Sequence, residues 1–66
     1  MCLSTVYQLV DGEPQVVAKL VSNAVVGDGT VTFTDLVGVE TVLEGRIASI
    51  DLMDNKIIVA PLEVAS

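Results

Sequence analysis

The chain has 66 residues, nine acidic and three basic, for a net charge of −6; 52% are hydrophobic, yet only Tyr7 and Phe33 are aromatic and histidine is absent. This length supports one domain over residues 1–66, which hides only about 60% of the surface its unfolded chain exposes. Three scattered cations do not make the basic face that phosphate binding needs. A single cysteine without histidine excludes an intrachain disulfide, a self-contained zinc site and conventional Ser-His-Asp or Cys-His catalysis.

In chain order, Leu3 to Val10 sets Leu3, Thr5, Tyr7 and Leu9 against Ser4, Val6, Gln8 and Val10, the period of two that marks a strand. Asp11 to Pro14, "DGEP", carries the Asp-Gly pair of a tight turn and closes a hairpin onto "QVVAKL". Val16 to Val26 reads either as a valine-rich strand broken near Ser22-Asn23 or as a short helical turn. Gly27 to Gly29, "GDG", is a second turn, and "TVTFTDL" after it directs Val31 and Phe33 inward.

Gly38 marks a further turn, with Val39 or Val42 and Leu43 available for a core. Gly45 interrupts what would be one long strand into "RIASIDL", and a glycine in such a place makes a bulge or sharp bend. The "MDNK" turn and the strand "IIVAPL", ended by Pro61, complete the chain. The expected fold is all-β, a small antiparallel β-barrel or rolled sheet of six or seven strands of the Sm or SH3 kind.

No apolar run approaches the ~18 residues of a membrane helix, and the start "MCLSTVYQLVDGEP" lacks the basic residues of a secretion signal. A cytoplasmic protein with a reduced thiol and no membrane partner is expected. With no disulfide or internal metal to stabilise so small a core, association of copies is the default solution.

The glycines form no phosphate loop, because "GDG" lacks the following lysine and helix. Asp28, Asp35, Glu40, Glu44, Asp51 and Asp54 do not reproduce a calcium loop and read as a solvated acidic face. Cys2 remains. It is either a small packing residue at the head of the first strand or a ligand, since a thiolate next to an N-terminal amine can chelate a metal.

If Met1 is removed, Cys2 supplies amine and thiolate. If it stays, the donors are the Met1 amine, the Cys2 amide nitrogen and the Cys2 sulfur. One arm encloses a metal incompletely, and a two-fold homodimer would present two. A planar nitrogen and sulfur set suits nickel(II) or copper(II) better than zinc.

The "MC" start followed by a hairpin, the length, and "LEGRIASIDLMDNKIIV" from Leu43 to Val59 resemble the CooT family, small accessory proteins associated with nickel insertion into carbon monoxide dehydrogenase. The resemblance implies a small β-barrel, a homodimer sharing one Ni(2+), and Cys2 as the ligand, with Met1 or its peptide bond supplying nitrogen. It implies a non-enzymatic metallochaperone whose client is carbon monoxide dehydrogenase or one of its maturation factors. The alternative is an Sm- or Hfq-like RNA-binding module, which rests on fold analogy and is disfavoured by the charge.

Overall fold

The structure, a computed structural model, describes residues 3–62. Six strands follow one another: β1 (Ser4–Val10), β2 (Glu13–Val26), β3 (Thr30–Asp35), β4 (Glu40–Glu44), β5 (Arg46–Asp51) and β6 (Lys56–Ala60). They form one sheet in the order β4-β3-β2-β1-β6-β5. All described residues outside these strands lie in short turns and connections.

The β1–β2 hairpin turns on Asp11 and Gly12, at φ 53° and 81°. Positive φ at both central residues is the backbone twist that suits a two-residue hairpin loop, and Asp-Gly is among the pairs that adopt it most readily. The turn is thus shorter than the expected Asp11–Pro14: Glu13 already pairs with Val10, and Pro14 with Leu9.

The segment that was open between strand and helix is one strand throughout, β2, and its break is a bend. Leu20 has φ 56°, and the ladders on either side shift register between Ser4 and Val6, between Val6 and Tyr7, and between Val21 and Asn23. The irregularities let one strand serve two halves of the sheet. Residues up to Val21 pair with β1, and those from Val21 to Val26 pair with β3.

The bend rolls the sheet. β3 and β5 stand apart in the strand order, separated by β2, β1 and β6, yet they come into contact. Between them lies the core: Val6, Val21, Val31, Phe33, Ile57 and Val59, with Val17, Ala18, Leu43 and Ile47 packed against it. Val31 and Phe33 face inward as their alternation requires, whereas Val39 and Val42 stay exposed and Leu43 alone of that set joins the core. Among the described residues no polar or charged side chain is buried.

Two features differ from an all-antiparallel barrel. β1 and β6 run parallel, with Thr5 to Gln8 matched to Lys56 to Val59. Tight turns can join only antiparallel neighbours, but these two strands are linked through the whole intervening chain and so are free of that constraint. The sheet is rolled rather than closed, since among the described residues no ladder joins its edge strands β4 and β5.

β4 and β5 instead meet through Gly45, which is buried with φ 146°. Its amide donates to the Gly29 carbonyl at 3.0 Å. Gly45 is therefore the corner at which the two free edges of the sheet are drawn together.

Candidate functional site

Met1 and Cys2, the expected ligands, lie outside the described residues. What the structure defines is the ground from which they depart. Leu3 is half-buried, and Ser4 begins β1 opposite Val21, which in turn stands opposite Asp35 of β3. On the other side the Thr5 amide donates to the Asn55 carbonyl at 2.9 Å, and Thr5 pairs with Lys56. The first strand is an interior strand of the sheet, so the N-terminal segment leaves from a base fixed on both sides.

Two loops flank that base. The β3–β4 loop starts from Asp35, two strands from β1, and the β5–β6 turn ends at Asn55, one strand away. With strands spaced about 4.8 Å apart, these are separations of roughly 10 and 5 Å.

Each loop is held by its own aspartate. Asp35 Oδ1 accepts from the Val37 amide at 3.0 Å and the Val39 amide at 2.9 Å. Asp51 Oδ1 accepts from the Met53 and Asp54 amides, each at 3.0 Å. The backbone is thereby satisfied from within, as aspartate side chains commonly do in turns. The Leu36 amide adds a bond of 2.9 Å to the Leu20 carbonyl, tying the first loop to the bend in β2.

The side chains these loops present are apolar. Val37 is 81% exposed, Leu52 82% and Met53 92%, and Leu20, Leu36 and Val39 are each more than half exposed. Sequence reasoning missed these exposed side chains, having offered Val39 or Val42, with Leu43, for the core and placed Met53 in an ordinary turn. The available signal was the presence of valine, leucine and methionine at positions where turns ordinarily carry polar residues.

Asp35 and Asp51 thus have structural work. Among the described residues no group of three or more His, Cys, Asp or Glu side chains is placed to hold a metal ion, and no pocket opens. Nor do the cations converge: Lys19 lies in β2, Arg46 starts β5 opposite Ala60, and Lys56 starts β6 opposite Asp51 at the other end of that ladder. Among the described residues no helix is long and apolar enough to cross a membrane.

Comparison with known proteins bears on this base and its arm together. The fold matches the crystal structure of a protein assigned as CooT in Carboxydothermus hydrogenoformans, with a TM-score of 0.83 over 94% of this chain and 100% of that one, at 13% sequence identity. At that identity the likeness speaks for the fold. No curated protein sequence matches significantly. The family of "CO dehydrogenase accessory protein CooT" matches residues 1–60, a segment that takes in Met1, Cys2 and all six strands. This chain belongs to the CooT family of CO dehydrogenase accessory proteins.

Proposed function

We propose that this chain is a nickel(II)-binding metallochaperone, not an enzyme, that works in the cytoplasm in the maturation of CO dehydrogenase. Its cargo is one Ni(2+) held between two copies by Cys2 thiolates, with nitrogen from Met1 or its peptide bond. The observation that carries the reading is the family match, which includes Met1 and Cys2, in a chain whose only thiol is Cys2. The described residues supply the support: an interior strand, tied to neighbours on both sides, that begins at Ser4, two residues after Cys2 in the sequence.

The base lowers the cost of chelation. Fixing one end of each arm removes conformational freedom before the metal arrives, so fewer degrees of freedom are lost on binding. A second copy completes the donor set because a two-fold interface presents the same group twice.

Intact mass under non-denaturing conditions, with and without nickel, tests the reading. One metal per two chains is expected, and Cys2→Ser should lose it. A metal on each monomer contradicts the shared site, and undiminished nickel binding by Cys2→Ser ends the proposal.

A further inference from the structure

We infer that the outer edge of β4 takes up an extended segment of another protein as an added strand, and that the segment it fits carries two cationic residues four apart with an apolar residue midway between them. The inference is independent of the nickel reading, because it uses only the sheet from β2 to β4 and its edges.

The backbone of β4 is divided between two sides. At the two ends of the β3–β4 ladder the Asp35 amide donates to the Val39 carbonyl and the Gly45 amide to the Gly29 carbonyl, each at 3.0 Å. Bonded and non-bonded pairs alternate along an antiparallel ladder, so Thr41 and Leu43 bond to β3 while the amides and carbonyls of Glu40, Val42 and Glu44 point away from it. β4 ends the strand order, and among the described residues no strand pairs along that outer side. The opposite edge of the sheet is less suited. β5 shifts register between Ile47 and Ser49, an irregularity of the kind that blunts an edge, whereas the β3–β4 ladder runs without one.

The side chains of this edge select the occupant. Glu40, Val42 and Glu44 are all exposed and stand opposite Thr34, Thr32 and Thr30 on the outer face of the sheet. Val42 and Val25, 61% and 57% exposed, flank Thr32 in one cross-strand row, so an apolar residue laid opposite Val42 extends that row. A second copy of β4 does not fit. Antiparallel pairing centred on Val42 would set Glu40 of each copy opposite Glu44 of the other, and like charges directly opposite destabilise a sheet. Lysine or arginine at those two places turns both contacts attractive, and the net charge of −6 favours the approach of a cationic segment. Extended peptides bind other sheets in this way, with main-chain bonds giving affinity and alternate side chains giving specificity.

The test is titration of the nitrogen-15-labelled full chain, at low salt, with the end-capped synthetic peptide Thr-Lys-Thr-Val-Thr-Lys-Thr. The amide signals of Glu40, Val42 and Glu44 should shift and their hydrogen exchange should slow. The same peptide with glutamate for lysine should bind about tenfold more weakly or worse. The double variant Glu40→Lys and Glu44→Lys should reverse that preference. The Val42 amide takes no part in the β3 ladder, so Val42→Pro should keep the fold, as circular dichroism checks, and lose the peptide. A lysine peptide methylated on the backbone nitrogens that would face β4 should likewise fail to bind. No binding at millimolar peptide, equal binding of the lysine and glutamate peptides, or undiminished binding of the methylated peptide overturns the inference; the last result would mean charge attraction without an added strand.

Discussion

Gly45 lies so close to Ala60 that a Cβ on the glycine would run into the Ala60 carbonyl oxygen and stand 3.2 Å from Val59 Cγ1. Its φ of 146° is one that other residues rarely adopt. Crowding and backbone conformation therefore both demand glycine at the corner between the edge strands. Gly45→Ala should lose about 2–4 kcal/mol, more than helical or strand propensity alone would cost. Urea unfolding of the two proteins measures it, and a loss under about 1 kcal/mol would mean that the corner opens freely.

Leu20 is the opposite case. It holds φ 56° with a branched side chain that is more than half exposed, a conformation costing roughly 1–2 kcal/mol outside glycine and asparagine. Leu20→Asn should therefore stabilise the folded monomer by about 0.5–1 kcal/mol, with a rise of several degrees in melting temperature at low protein concentration. A fall there would show that the leucine's packing outweighs its backbone strain.

Phe33 is 1% exposed and is the largest side chain fully within the core. Phe33→Ala removes most of a side chain where neighbours can close only part of the gap, at about 3–5 kcal/mol. Because a domain of this size has little stability in reserve, we expect that variant to be largely unfolded at 25 °C. Phe33→Leu should fold with reduced stability. Near-ultraviolet and far-ultraviolet circular dichroism distinguish the two outcomes.

The aspartates of the two turns should behave alike. Asp35→Ala strands the Val37 and Val39 amides, and Asp51→Ala those of Met53 and Asp54, at about 1 kcal/mol each because water can reach both loops. Asn retains the Oδ1 acceptor, so Asp35→Asn and Asp51→Asn should cost about half as much. Equal losses for Ala and Asn would place the effect in the charge rather than in the hydrogen bonds.

Nickel affinity should weaken as the pH is lowered. Thiolate and amide nitrogen bind metal only after losing protons, so protons compete with the cation and affinity is highest on the alkaline side. Titrations at several pH values give the slope. An affinity that does not change between mildly acid and mildly alkaline solution would point away from Cys2.

Much of the fold was legible because it is local. The alternation around Val31 and Phe33, the Asp11-Gly12 turn and the Gly45 bend each follow from a few adjacent residues. β2 was ambiguous because a bulged strand breaks the period of two just where it turns from one partner to another. The parallel pairing of β1 with β6 carries no local mark, since neither strand's composition depends on its partner's direction. Cys2 could be singled out by elimination as the only thiol, but its coordination geometry belongs to an arm beyond the described residues. The apolar turn tips stand between these cases: the residues were in plain view, and only the topology shows that both loops border one strand's start.

The parallel ladder also sets an order of events. Thr5 must find Lys56 across nearly the whole length of the chain, a contact whose loop closure is entropically costly and slow. During synthesis β1 is made before any of the other five strands, while β6, its parallel partner, is made after all of them. One side of β1 therefore stays unpaired until β6 is complete, and the hairpin with β2 must hold it alone through that interval.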